Sequence, residues 1–186
     1  MVWELAAKEL AKCKKLGENG CYISVNISPR DFYFIDIYQE FTSLVEKYDI
    51  DPKSLRLEIT ETMVMSDEYK NISAVERLRK YGFIIEIDDF GSGYSSLNVL
   101  KDILADVIKI DMGFLRETEN KERSKIILNS VITMAKALGM EVVTEGVETE
   151  TQVNELSQMG CNIFQGYYFG RPMSVDDFKE KYYDVM

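Results

Sequence analysis

Short apolar segments alternate with longer amphipathic segments along the chain, and this alternation constrains the fold more than any other feature of the sequence. Six apolar segments have the composition of strands, at residues 22–26, 55–59, 83–87, 107–110, 141–144 and 161–165. Between them lie segments with helical periodicity, at residues 2–16, 37–48, 69–81, 121–138 and 149–159. Strands that alternate with helices predict a parallel sheet, either an open doubly wound sheet or a barrel.

Glycine ends three of the helical segments directly before the next strand, at Gly82, Gly139 and Gly160. Glycine tolerates the left-handed backbone conformation that closes a helix, so the same joint between helix and strand recurs. No linker or block of charge interrupts the series. With 186 residues, of which 46% are hydrophobic, the sequence predicts one domain over residues 1–186 with a substantial core.

Two adjacent carboxylates, Asp88 and Asp89, end the third apolar segment and precede the turn Gly91-Ser92-Gly93. Adjacent acids repel each other and lose hydration when they are partly buried, so a cation or hydrogen bonds usually offset them. A divalent metal is one candidate; the alternative is that Asp89 caps the next helix while Asp88 is solvated. Because the chain has no histidine, imidazole zinc sites, the Ser-His-Asp triad and histidine phosphotransfer are excluded. Asp, Glu and Asn oxygens would suit Mg²⁺ or Mn²⁺.

Polar residues stand at or just past the carboxyl end of each predicted strand. They are Asn26, Glu58, Asp88 with Asp89, Lys109 with Asp111, Glu145 and Gln165. A barrel directs all its strand ends to one mouth, whereas an open sheet concentrates function at a switch point. We therefore predict an α/β fold of the TIM-type (βα) barrel class. About six βα units are present, about two fewer than a closed barrel needs, so we expect the barrel to be incomplete.

Charge and cysteine content limit the partners. The net charge of −10 argues against a protein that binds a nucleic-acid polymer, and an anionic substrate would need a metal or local lysines and arginines. The three cysteines share no metal-ligand spacing and indicate reduced core residues of a cytoplasmic protein. We expect a soluble protein, because no apolar run reaches the roughly 18 residues of a membrane span and the start lacks a signal peptide's pattern.

Six motifs, in order along the chain, resemble those of EAL-type cyclic di-GMP phosphodiesterase domains. They are VNISP at residues 25–29, LEITET at 57–62, DDFGSGYSSL at 88–97, IKID at 108–111, TEGVET at 144–149 and QGYYF at 165–169. Any one of these motifs alone would be weak, but six in order at predicted strand ends are specific. The resemblance covers nearly the whole chain.

The resemblance implies a site with two Mg²⁺ or Mn²⁺ ions, at which a metal-activated water hydrolyses cyclic di-GMP to linear pGpG. The implied metal ligands are Asn26, Glu58, Asp88, Asp89 and Glu145, with Asp88 shared between both ions. Lys109 is implied beside the nucleophilic water, Glu145 beside the second metal or its water, and Glu61 as the residue that holds the loop after the aspartate pair. The implied supporting residues in the mouth are Asp111, Gln165, Gly91 and Ser92.

Several of these residues have ordinary alternatives. Glu58 and Glu61 could be acids in the first turn of a helix. Lys109 could pair with Glu86, which strand parity puts on the same face as Asp88, and an additional buried acid there could occupy Lys109 or tune the metals. The aromatic residues 167–169 could border a guanine or pack in the core.

The family's first-strand Glu-Ala-Leu segment, whose glutamate is a metal ligand, does not occur in this sequence, nor does the arginine that follows it. We therefore expect the chain to begin after the first two strands of the barrel. The alternative function is a catalytically inactive module that binds cyclic di-GMP or regulates a partner. Unpaired strand edges predict a homodimer, and a sensory or diguanylate cyclase domain is a candidate fusion or partner.

Overall fold

The computed structural model describes residues 2–15, 20–60, 63, 68–91, 105–111 and 121–182. The helices are α1 (Val2–Lys15), α2 (Pro29–Phe34), α3 (Ile37–Tyr48), α4 (Glu68–Tyr81), α5 (Lys121–Ala137), α6 (Glu150–Gln158) and α7 (Val175–Tyr182), with a short 3-10 helix at Pro52–Ser54. The strands are β1 (Ile23–Ile27), β2 (Leu55–Thr60), β3 (Ile85–Phe90), β4 (Val107–Asp111), β5 (Glu141–Glu145) and β6 (Ile163–Phe164). The six predicted strands and five predicted helices are all present, with ends shifted by one or a few residues.

The strands form one parallel sheet in the sequential order β1-β2-β3-β4-β5-β6. A doubly wound sheet reverses its strand order at a switch point, whereas a barrel adds each strand beside the previous one. The observed order has no reversal. It is therefore the order of a TIM-type barrel, as the sequence predicts.

Strand parity separates an apolar face from a polar face. Leu55, Leu57 and Ile59 on β2 are at most 1% exposed and belong to the main hydrophobic core, which helix residues such as Phe41 and Leu128 complete. Burying each such side chain contributes about 1.5–3 kcal/mol. The residues between them face the other way. We call this second surface the polar face; it comprises Arg56 and Glu58 of β2, Glu86 and Asp88 of β3, Lys109 of β4, and Glu141 and Glu145 of β5.

Helix α1 packs against β1 and α3. The indole Nε1 of Trp3 donates a hydrogen bond to the backbone oxygen of Asn26 at 3.0 Å, and the Trp3 ring lies 4.8 Å from that of Phe41. None of the three cysteines forms a disulfide; Cys13 and Cys161 are buried and Cys21 is half-buried. Among the helices in the described part of the chain, none is long and apolar enough to cross a membrane.

Candidate functional site

The carboxyl ends of the parallel strands bring the predicted polar residues to one edge of the sheet. In register, Asn26 of β1 stands beside Glu58 of β2, and Glu58 stands beside Glu86 of β3. On the other side, Asp111 of β4 stands beside Glu145 of β5. Glu58 lies within a strand, so the alternative that it begins a helix is wrong.

A bulge in β3 places both carboxylates of the aspartate pair at this edge. Successive residues of a regular strand point to opposite faces, but the register with β4 shifts between Ile87 and Phe90. Asp89 adopts a left-handed backbone with φ of 56°, and its N–H donates to Asp88 Oδ1 at 3.0 Å. A non-glycine residue in this conformation costs roughly 1–3 kcal/mol and is typical of functional sites.

The bulge produces a compact group of oxygens. One carboxylate oxygen each from Asp88, Asp89 and Glu145 lie within 4.8 Å of one another. The alternative of a solvated Asp88 is wrong, because its side chain is only 15% exposed and lies 3.3 Å from Lys109 Nζ.

Lys109 lies at the centre of the acidic residues. Its ammonium contacts Glu58 Oε1 at 2.5 Å and Glu145 Oε1 at 2.7 Å, and the side chain is 6% exposed. Burial acts to lower the pKa of Lys109, but the hydrogen bonds to Glu145 and Glu58 outweigh burial, and the pKa lies above its ordinary value. The contacts with Glu58 and Glu145 therefore favour the charged form of Lys109, which can orient groups and balance charge.

The surrounding carboxylates carry more negative charge than Lys109 offsets. Burial raises the pKa of Glu58 and of Glu145, against the lowering effect of Lys109. Burial also raises the pKa of Asp89, with further contributions from Asp88 and Asp111. A divalent cation would offset this charge, and the donors are the carboxylate oxygens that Mg²⁺ and Mn²⁺ prefer. The residues present therefore fit a divalent metal.

The other predicted site residues lie around this group or outside the described part of the chain. Asn26 is exposed at the end of β1. The exposed residue Gln165 directly follows β6, where its backbone N–H donates to Thr144 O at 2.8 Å and its carbonyl accepts from Val147 at 3.1 Å. Gly91 follows β3 with φ of 94°. Glu61 and Ser92 lie outside the described residues.

The loop after β5 fixes the position of Glu145. A Cβ on Gly166 would lie 2.1 Å from the carbonyl oxygen of Val147, so only glycine permits this close approach. Thr149 begins α6 with a capping box, in which its Oγ1 accepts from the Gln152 N–H and the Gln152 side chain accepts from the Thr149 N–H. These contacts hold the residues after Glu145 against the end of β6.

Glu86 does not pair with Lys109, so the alternative in which these two residues form an ion pair is wrong. Its carboxylate, 3% exposed, instead pairs with Arg56 Nη1 at 3.1 Å. Sequence reasoning missed Arg56, although its position two residues before Glu58 puts it on the same face.

The aromatic residues 167–169 are 45–56% exposed, so the alternative that they pack in the core is wrong. Their ring contacts are local: Phe169 stacks on Phe164 at 6.1 Å, and Arg171 lies over the Tyr167 ring at 4.9 Å.

Comparisons with known proteins bear on this site. The model of the EAL domain family matches residues 1–172. The cyclic di-GMP phosphodiesterase RocR of Pseudomonas aeruginosa is 35% identical over 180 residues, which cover 96% of this chain and 46% of RocR. MucR of the same organism, a bifunctional diguanylate cyclase/cyclic di-GMP phosphodiesterase, is 36% identical over 154 residues, which cover 83% of this chain and 22% of MucR. The chain thus spans less than half the length of these two relatives.

Solved structures have the same fold. The MucR phosphodiesterase in complex with c-di-GMP superimposes with a TM-score of 0.87 at 33% identity, over 95% of this chain and 72% of that chain. BlrP1 of Klebsiella pneumoniae, in a complex with manganese and cyclic di-GMP, superimposes with a TM-score of 0.80 at 30% identity, over 91% of this chain and 44% of that chain. The barrel class that the sequence predicts is confirmed.

Proposed function

The chain belongs to the EAL domain family of cyclic di-GMP phosphodiesterases, and we propose that it hydrolyses cyclic di-GMP. Water adds across one phosphodiester bond, which opens the ring and gives linear pGpG. The observation that carries the proposal is the convergence of Asp88, Asp89 and Glu145 oxygens within 4.8 Å, beside the buried ammonium of Lys109.

The proposed metal ligands are oxygen donors at four strand ends. Asn26, Glu58 and Asp88 would hold one ion, and Asp88, Asp89 and Glu145 would hold the other. Two bound Mg²⁺ or Mn²⁺ ions would lower the pKa of a bound water and stabilise charge on the attacking and leaving oxygens. The complex of BlrP1 with manganese and cyclic di-GMP supports this choice of metal.

The side chains around the proposed metal sites have separate roles in the proposed reaction. The ammonium of Lys109 would donate hydrogen bonds that orient the attacking water and the phosphate oxygens. Glu145 contacts Lys109 at 2.7 Å, and one of its carboxylate oxygens lies within 4.8 Å of oxygens of Asp88 and Asp89. In this position it would accept a hydrogen bond from that water. Glu61 is proposed to hold the loop after Asp89.

The remaining proposed residues shape the mouth. Asp111 and Gln165 are polar residues beside the ends of β5 and β6. Gly91 and Ser92, which follow the aspartate pair in the sequence, are proposed as further supporting residues. The net charge of −10 would repel a nucleic-acid polymer, while bound cations attract a small anionic dinucleotide at the mouth.

Assembly and location form a second part of the proposal. Within the described residues, β1 and β6 each have one neighbouring strand, and such edges can pair with a second chain. We propose that residues 1–186 act as one domain and that this domain forms a homodimer. We also propose a cytoplasmic location, because the three cysteines form no disulfide. The two activities of MucR support a diguanylate cyclase domain as fusion or partner, and a sensory domain is a further proposed partner. A monomeric mass in light scattering would contradict the homodimer.

A turnover assay tests the proposed reaction. The chain is incubated with cyclic di-GMP and Mn²⁺ or Mg²⁺, and pGpG is separated by chromatography. We expect metal-dependent pGpG formation that falls at least about 10-fold in Asp88→Asn, since even changes beside metal ligands cost this much. Asp49→Asn is the matched control, because Asp49 is exposed in a left-handed conformation that asparagine tolerates.

The outcomes separate the candidate functions. Binding of cyclic di-GMP without turnover by the wild-type chain would contradict the enzyme and support the binding module. Normal turnover by Asp88→Asn would show that the metal assignment is wrong.

A further inference from the structure

A partly buried ion pair lies next to the candidate metal site on the polar face, towards the amino ends of the strands. Arg56 stands two residues before Glu58 on β2, and Glu86 stands beside Glu58 in register on β3. Arg56 Nη1 lies 3.1 Å from Glu86 Oε1 and 3.3 Å from Glu141 Oε2. The guanidinium also stacks on the ring of Tyr22, with 3.6 Å between its carbon and the ring centroid. Arg56 is therefore held from three sides.

Glu86 is well placed to compete for Lys109. It stands in register beside Val107 of β4, so Lys109, two residues further on, is its diagonal neighbour on the same face. Such neighbours lie about 7–8 Å apart, within the reach of long side chains. A glutamate without another cation at this position would therefore attract the ammonium that contacts Glu58 and Glu145.

Two cations and five acids share this part of the polar face. Lys109 contacts Glu58, Asp88 and Glu145, whereas Arg56 contacts Glu86 and Glu141. The structure thus divides the charges into two sets: an upper set at the mouth around Lys109, and a lower set around Arg56.

We propose that Arg56 is a positioning residue, which binds Glu86 in the lower set and thereby keeps Lys109 on Glu58 and Glu145 at the mouth. The effect of Arg56 on catalysis rests on the proposed phosphodiesterase function. Its effect on the position of Lys109 is independent of that function, because this position can be observed in the metal-free protein.

The proposal gives Arg56→Met a distinctive signature. With Arg56 absent, Lys109 turns down to Glu86 and leaves the mouth. We expect kcat to fall by about 10- to 100-fold, the usual effect of changing a residue that orients a metal site. The dissociation constant for Mn²⁺ stays the same or decreases, because a repelling ammonium has moved away from the metal ligands. A general loss of structure would instead weaken metal binding and turnover together.

The experiment has three readouts: kcat with cyclic di-GMP, Mn²⁺ affinity by calorimetry without substrate, and a crystal structure of the metal-free variant. We expect the Arg56→Met structure to have Lys109 Nζ within hydrogen-bond distance of Glu86. Adding Glu86→Gln to Arg56→Met removes the competing charge and should restore most of the lost kcat. The matched control is Arg79→Met, which removes another arginine–carboxylate pair, to Asp106 at 2.9 Å, and should leave kcat unchanged.

Three results would overturn the proposal: an unchanged kcat in Arg56→Met, a variant structure in which Lys109 stays on Glu58 and Glu145, or no recovery in the double variant. If Arg56→Met does not fold, the same readouts apply to Arg56→Gln, which keeps a hydrogen-bond donor for Glu86 but removes the charge. An unchanged kcat and an unmoved Lys109 in Arg56→Gln would also overturn the proposal. If the wild-type chain has no turnover, the proposed function fails, while the crystal structure still decides where Lys109 lies.

Discussion

Replacing Lys109 with methionine should destabilise the metal-free protein strongly and make its stability depend on added metal. Methionine is similar in length and keeps the apolar packing of the stem, so the main change is the loss of one buried ammonium. Glu58, Asp88 and Glu145 then lose the cation that they share, while their side chains remain only 9–16% exposed.

The expected cost follows from this burial. Removing one partner of a buried ion pair typically costs 3–5 kcal/mol, because the remaining charge has no compensation. The Lys125–Glu155 pair provides the contrast: its atoms are 2.9 Å apart, but the side chains are 36% and 42% exposed. A pair of this kind contributes only about 0–1 kcal/mol. We therefore expect Lys109→Met to lower the free energy of unfolding by about 3–5 kcal/mol and Lys125→Met by no more than about 1 kcal/mol.

Divalent metal should offset part of the loss in Lys109→Met. A ligand present at 100 times its dissociation constant stabilises the folded state by about 2.7 kcal/mol. Because the variant lacks the competing ammonium, it should bind Mn²⁺ more tightly than the wild type and gain more stability at the same metal concentration.

Urea unfolding with and without Mn²⁺ measures both effects in the wild type, Lys109→Met and the control Lys125→Met. The reasoning is refuted if Lys109→Met costs no more than Lys125→Met, or if Mn²⁺ stabilises the wild type more than Lys109→Met.

Further expectations concern the loop after β5 and the surface of α1. Thr149→Ala removes the cap of α6 and should cost about 1 kcal/mol in urea unfolding; no change would mean that the capping box contributes nothing. Gly166→Ala places a Cβ against the carbonyl of Val147 and should cost about 1–3 kcal/mol, so an unchanged Tm would contradict the close approach. A hydrogen bond from Lys47, with help from a tyrosine hydroxyl, lowers the pKa of Glu4 from 4.5 to about 2. The stability that ionised Glu4 contributes is therefore present above pH 4.5 and is lost as the pH falls towards 2. In an NMR titration, Lys47→Met should raise the titration midpoint of Glu4. An unmoved midpoint would contradict the role of the Lys47 hydrogen bond.

The barrel order and the polar edge could be predicted from the sequence, because they depend on local patterns. The recurrence of strand and helix implies parallel strands, and parallel strands have their carboxyl ends at one edge. For this reason Glu58, Lys109 and Glu145 were predictable as neighbours before any coordinates. The short helices α2 and α7 have too few turns to show a periodicity. The sequence feature that marks the start of each helix is a serine, Ser28 or Ser174, followed three residues later by an aspartate.

The details of the site depended on tertiary structure. Nothing in the sequence indicates that Asp89 adopts a left-handed conformation, although the bulge it creates is what brings Asp88 and Asp89 to the same edge. The partner of Glu86 was also not predictable from parity alone. Parity places Arg56 and Lys109 on the same face as Glu86, and only the register and side-chain geometry decide which cation it contacts.

Anomalous diffraction would show directly whether the strand ends around the aspartate pair bind divalent metal. Crystals of the chain soaked in Mn²⁺ are measured at the manganese absorption edge. We expect anomalous peaks among the oxygens of Asp88, Asp89 and Glu145, which disappear in Asp88→Asn. Peaks only elsewhere on the protein, or the same peaks in Asp88→Asn, would contradict this expectation.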